Sequence, residues 1–453
     1  KTLEQTVRAS VGYILVNRDA AAIQPGSRAY ARSWIRDAAL TSSALLRLGV
    51  VQPVHEFLQW FAPYQFASGK VPCCVDRRGA DPVTENDSQG EFIYLAAEYT
   101  RRTGDTALLR ELWPRIRLAA SYMDSLRHIR MTGVWVDSLD GAFLGLMPES
   151  ISHEGYSAHP EHSYWDDFWA ARGFADAARA AATLGQADSA HWRAVADSFR
   201  HDLLASISKA MVAHQLDFVP GSVELGDFDA TSTTIAGDPV ELLDSLPAAA
   251  VNRTFEMFDS VLTERRSGNP WTAYTPYEAR VIGTKVRLGW RASALRQVDD
   301  LLADQRPSGW RQWPEVIRRD SRAPEFLGDL PHTWVASDFV RSVLDLYVYE
   351  APDHALVLMA GVASEWLRGD GIHVRVPWSS SSAVDYEARM EGDTLVVSVK
   401  SAPGTAPALY LQPPLSGVLS AAGAGRALPV TSRGVRLAGA PAEVRITARP
   451  RPP

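Results

Sequence analysis

The stretch TALLRELWPRIRLAASYMDSLR, residues 106–127, carries apolar side chains three or four positions apart, among them Leu109, Leu112, Ile116, Ala120 and Met123. That spacing puts one apolar face on a helix of six turns. Working outward, similar segments alternate with connectors rich in Gly, Pro, Asp and Ser from the start of the chain to about residue 350. Twelve are predicted, from Thr2–Val16 to Thr333–Tyr349, among them Ala38–Leu48, Gly90–Arg102, Tyr164–Leu184 and Val240–Leu246. Strand-like runs are scarce over the same range, and no period of 30–45 residues with repeating signature positions marks an α-solenoid. Twelve helices in antiparallel pairs over 350 residues suit an (α/α)6 toroid, in which connectors from several pairs surround one pocket.

After about residue 370 the period changes to two. Gly371–Pro377, Thr394–Lys400, Ala408–Leu411 and Ala442–Ala448 alternate apolar and polar residues, as half-buried antiparallel strands do. The expected fold class is therefore mainly α, a toroid at 1–350, a tether at 351–370 with a short helix near Val362–Leu367, and a β-sandwich-like accessory domain at 371–453.

Composition narrows the function. Of 453 residues, 46 are basic and 53 acidic, a formal charge of -7 that repels a polyanionic backbone, so no nucleic-acid partner is expected. No apolar run of about 18 residues is present to span a bilayer, and Lys1 to Arg8 lacks the layout of a secretory signal. No membrane insertion is expected. The compartment stays open, with a periplasmic or extracellular setting preferred and upstream sugar-binding domains in a longer chain allowed for. The two cysteines, Cys73 and Cys74, are adjacent and give neither a disulfide framework nor a metal-ligand spacing. Fourteen tryptophans are many, and several stand beside charged groups. A flat aromatic next to hydrogen-bonding charges is what a sugar ring requires.

Four segments carry the chemistry. In Trp34-Ile35-Arg36-Asp37 the acid either caps the following helix or bridges two sugar hydroxyls. In Glu85-Asn86-Asp87-Ser88-Gln89-Gly90-Glu91, Ser88 and Glu91 match a capping box, leaving Asp87 and Gln89 as substrate ligands. The third runs from Leu146 to Trp169. There Glu149 adjoins an apolar stretch, a setting that keeps a carboxylic acid protonated for donation, and Glu154 is its rival; His153, Trp165 and Asp166 are candidate contacts. A metal site of His153, His159, His162 and Asp166 matches no zinc spacing, so no metal and no cofactor is expected. The fourth, Trp310 to Trp334, offers Trp313 as a substrate contact and sets Glu315 after the rigid Trp313-Pro314 pair, where a second carboxylate activates water.

At these segments the chain resembles the glucoamylase-type glycoside hydrolases and their six-hairpin relatives, the trehalases and rhamnosidases. Trp34-x-Arg36-Asp37 resembles the loop that grips the nonreducing-end sugar. Glu149 stands where the family places its general acid, Asn269-Pro270-Trp271 resembles a helix start that adds Trp271 to the substrate contacts, and Glu315 stands where the base is expected. The resemblance covers about residues 25–345 and implies an inverting, exo-acting hydrolase of an oligo- or polysaccharide. It departs at the acid, where the family's paired glutamates become Pro148-Glu149-Ser150 with Glu154 further on. A non-catalytic carbohydrate-binding toroid and an inverting phosphorylase are the competing readings.

Overall fold

A computed structural model describes residues 1–322 and 325–449 of the chain. The expected β domain's residues 450–453 lie outside that range. Eleven helices of nine residues or more occur among the described residues. The twelfth expected helix, Val240–Leu246, does not form: Glu241 takes a left-handed φ of 64° and only the 3-10 turn Leu243–Ser245 follows. A separate helical turn forms upstream at Ala230–Thr233, where Asp229 caps it by accepting from the Ser232 amide at 2.9 Å. Among the described residues, no helix is long and apolar enough to cross a membrane.

Two start signals differ from expectation and matter for the site. The helix expected at Ala38 begins at Ile35, so Asp37 sits in its first turn and is not the N-cap. Ser88 is itself the first residue of the helix Ser88–Thr103, so the expected capping box with Glu91 is not built, and Glu91 is fully buried.

Contacts divide the described chain into two units. The first comprises Lys1–Leu46, Val50–Glu278 and Asp304–Asp338. Its central contact is between the helices Ser88–Thr103 and Tyr164–Thr183, which approach backbone to backbone. A Cβ on Gly90 would lie 2.1 Å from the Trp169 carbonyl oxygen, and one on Gly173 would lie 2.7 Å from the Gly90 Cα. Only glycine allows this crossing, and it sets the N-terminus of one helix, Asp87, beside that of the other, Trp165. Gly173→Ala is expected to destabilise the chain by about 1–3 kcal/mol, the usual cost of overpacking. A denaturant melt checks this; an unchanged midpoint would mean that the helices slide apart freely.

The second unit holds Arg47–Gly49, Ala279–Ala303 and the chain from Phe339 onward. It contains the helices Ala279–Arg287 and Arg291–Ala303 and two sheets. One sheet has six antiparallel strands, in the order Arg426–Ala427, Val418–Gly423, Ala442–Arg449, Thr394–Ser401, Ser382–Glu391, Ile372–Ser379. The other has five, Val430–Thr431, Gly434–Leu437, Leu409–Leu411, Leu356–Leu358, Val348–Glu350, with one parallel pairing between Leu409–Leu411 and Leu356–Leu358. The segment 351–370, expected as a tether, thus contributes a central strand as well as the 3-10 turn Ser364–Leu367. Buried Asp345 joins the unit's helices, accepting from Arg47 at 2.7 Å and Arg287 at 3.1 Å.

Candidate active site

The site lies wholly in the first unit and starts from a stitched pair of loops. The Asp329 carboxylate accepts the backbone N–H groups of Arg28, Ala29 and Tyr30 at 2.7, 3.0 and 3.2 Å. Burial alone would raise this carboxyl, but the three amide donors bring it below the usual range. A Cβ on Gly26 would overlap Asp329 Oδ2 at 2.1 Å, which explains the glycine ahead of the loop. Further along, Trp34 pairs with Cys74 in a short antiparallel strand and Ile35 donates to the Cys73 carbonyl at 2.9 Å. The chain therefore enters its helix with Arg36 and Asp37 fixed in the first turn.

Arg36 is the hub of the acidic groups. Buried over the Trp334 ring, 5.5 Å from its centroid, it donates to Glu85 Oε2 at 2.7 Å and to Asp87 Oδ2 at 3.4 Å. Its guanidinium also lies 3.9 Å from Asp37 and 3.8 Å from Glu154. Asp87 in turn accepts from the Trp165 indole at 2.8 Å. One cation among so many carboxylates cannot hold all of them ionised. Burial pushes Asp37 well above the usual carboxylate range, opposed by Arg36 and reinforced by Glu154 and Glu315. Burial likewise lifts Glu85 to about 7. Arg36→Ala is expected to cost about 3–5 kcal/mol, since it leaves Glu85 and Asp87 buried without a counter-charge. The unfolding free energy measures this, and a loss below about 1 kcal/mol would show that the pair is not held by charge.

Glu315 occupies the facing connector. Its two carboxylate oxygens accept one phenol each, Tyr30 on Oε2 and Tyr277 on Oε1, the latter at 3.1 Å. Gly328, at φ 70°, packs against it so closely that a Cβ would lie 2.5 Å from Oε2. Burial raises the Glu315 carboxyl, while the two phenols pull it back. Burial, then Glu315, Glu154 and Asp37, raise the Tyr30 phenol; Tyr30 donates to Glu315, and Arg36 lies 3.9 Å from Asp37 and 3.8 Å from Glu154.

The third segment separates its two candidate acids. Glu149 is held by Arg130 and lies 3.6 Å from His162 Nε2, and among the described residues no hydrogen bond or ion pair joins it to Glu315 or Asp37. Glu154 has a left-handed φ of 65° and a side chain 52% exposed, in a loop pinned from below. Ser150 and Ser152 donate to buried Asp166 at 2.6 and 2.8 Å. His153 packs against Trp165 with ring centroids 5.0 Å apart and lies 3.6 Å from Asp229. A strained residue held by so many contacts is a mark of functional sites.

Several residues expected to touch substrate are instead buried. Asp87 and Trp165 satisfy one another, Asp166 braces the Glu154 loop, and Gln89 and Trp313 lie inside the unit. Trp34 packs on Cys73, Cys74 and Tyr30. Trp271 contacts Tyr274 on a connector that does not begin a helix, and among the described residues no ring contact or hydrogen bond joins it to the carboxylates. Glu85 and Asp329 lie in the four segments without a role there, Tyr30 lies just upstream of Trp34, and Tyr277 and Asp229 carried no signal. The three histidines weighed for a metal each have separate partners. Among the described residues, Cys73, Cys74 and Asp81 do converge, but the Arg32 guanidinium already contacts both Cys74 and Asp81, where a cation would meet fixed positive charge.

Beneath the site, burial raises Asp167 to about 8, though it accepts the Met147 amide at 2.9 Å. The folded chain therefore keeps this proton after the unfolded chain, near pH 4, has released it. Stability from this group falls as pH rises from about 4 to about 8. Asp167→Asn retains the acceptor and removes the titration, so its melting temperature should drop less than the parent's between about pH 5 and pH 8.5. Parallel curves would contradict this.

No family model and no curated protein matches the sequence. Among solved structures, the chain is similar to the α-L-rhamnosidase of Dictyoglumus thermophilum, with a TM-score of 0.65 and 10% identity over 99% of this chain and 50% of that one. Streptomyces avermitilis α-L-rhamnosidase complexed with L-rhamnose gives 0.63 and 13%, over 98% and 41%. The chain has the six-hairpin (α/α)6 fold. A wild-type glycosidase matches at 0.54 and 14%, covering 76% of this chain and 97% of its own. The chain spans about half the length of the first rhamnosidase and less of the second. At such identities the likeness concerns the fold, with its helix pairs and C-terminal, mainly antiparallel sheets.

Proposed function

We propose that the chain is a glycoside hydrolase that inverts configuration at a terminal sugar, with Glu154 as general acid and Glu315 as general base. The observation that carries this reading is that Asp37, on the first turn of its helix, and Glu154, on its loop, share Arg36 at 3.9 and 3.8 Å, while Glu315 accepts from Tyr30, the phenol that all three carboxylates raise. Glu315 retains a free lone pair on each oxygen after accepting its two phenols, enough to take a proton from water. As the water oxygen bonds to the anomeric carbon, that carbon's bond to the leaving oxygen breaks, Glu154 donates its proton to the leaving oxygen, and Glu315 keeps the proton of the water. Half-exposed Glu154 fits a leaving group that departs toward solvent.

The neighbours described as α-L-rhamnosidases put α-L-rhamnosides first in a substrate screen, followed by aryl glycosides of other sugars. Proton NMR of the first-formed product reads the anomer directly. Release of sugar with inverted configuration is the expected result. Binding of sugars with no turnover across the panel would favour a carbohydrate-binding module, and turnover that requires inorganic phosphate would favour a phosphorylase.

A further inference from the structure

His332 lies behind the base and belongs to neither carboxylate. It is 2% exposed, its backbone N–H donates to the Trp313 carbonyl at 3.0 Å, and its ring meets those of Tyr30 and Tyr277 edge-on at 5.3 and 5.6 Å. Burial lowers this imidazole to about 3, against a modest upward pull from Asp329, so the ring is neutral and carries one proton. Nδ1 accepts the Val335 amide at 3.5 Å, which leaves that proton on Nε2. Nε2 faces the Tyr277 hydroxyl at 3.4 Å. A hydroxyl that accepts from an imidazole N–H points its own proton elsewhere, and here the next acceptor is Glu315 Oε1 at 3.1 Å.

We propose that His332 is a positioning residue that works through Tyr277, orienting the phenol so that it donates to Glu315 and holds the base ionised and turned toward the water it activates. The inference rests on the hydrolase reading above. Around Glu315 the other titratable groups are Tyr30, which donates to the opposite oxygen, and Asp37, Glu154 and Asp329, whose charges oppose its ionisation. With burial and three carboxylates working against the charged form, each phenol donor counts.

The test is the pH profile of kcat/KM on the aryl glycoside the enzyme cleaves best. Tyr277→Phe should move the acid limb upward by on the order of one pH unit, the worth of one hydrogen bond to a charged acceptor. His332→Phe should move it in the same direction, and the double variant should move it no further than Tyr277→Phe alone, because the imidazole acts through the phenol. Should His332→Phe misfold by circular dichroism, His332→Leu, which also lacks a donor, takes its place in the same comparison. An unmoved limb in Tyr277→Phe, or a His332 effect of equal size in the Tyr277→Phe background, overturns the proposal. Glu315→Gln is the separate control on the reading beneath it: full turnover there removes the base itself, whatever the limb does.

Discussion

Glu315→Gln is expected to lower kcat by at least about 10²-fold with the fold intact. The amide is nearly the same shape, so Gly328 can still pack against it and one phenol can still donate to its carbonyl oxygen. What is lost is basicity: an amide takes no proton from water. The opposite amide edge presents N–H groups to a phenol donor, which costs one of the two bonds from Tyr30 and Tyr277 but leaves the surrounding Asp329 stitch untouched. Substrate binding should therefore change little, and the loss should fall on turnover at every pH. Circular dichroism and a thermal melt establish the fold, and steady-state kinetics on one substrate the rest. Near-normal turnover would end the two-carboxylate mechanism.

How much of this was legible in the sequence depends on the physical source of each feature. Helix existence was, because an apolar stripe such as that of residues 106–127 must be buried, and Ile116, Ala120 and Met123 are. Helix starts were not: a difference of three residues, Ile35 against Ala38, moves Asp37 from a cap into the first turn. Residue type marked where charge and aromatics gather, yet it could not tell a contact with substrate from a contact within the fold. Asp87 and Trp165 are the clearest case, since 78 positions separate them and each satisfies the other. The same limit left Glu149 and Glu154 unresolved. They share one loop and one composition, and what separates them is Arg130, which claims Glu149 from the end of a helix whose sequence says nothing about its reach. Tyr277 and His332 stand on different connectors and meet only through tertiary structure.

The two glutamates can be told apart by leaving group. If Glu154 is the acid, Glu154→Gln removes the proton that the leaving oxygen needs when it departs as a poor leaving group, and turnover of a natural disaccharide or an alkyl glycoside should fall by at least about 10²-fold. An activated aryl glycoside, such as a dinitrophenyl glycoside, departs as a stable phenolate and needs little protonation. On that substrate the same variant should lose far less, so the ratio of the two rates shifts by an order of magnitude or more. Glu149→Gln removes a half-exposed partner of Arg130, an interaction worth about 1 kcal/mol or less, and should lower both rates equally or not at all. Glu149 is engaged by Arg130 and His162, whereas Glu154 and Asp37 share Arg36. Leaving-group dependence in Glu149→Gln, with none in Glu154→Gln, would return the acid to Glu149 and require the loop between them to turn over before substrate binds.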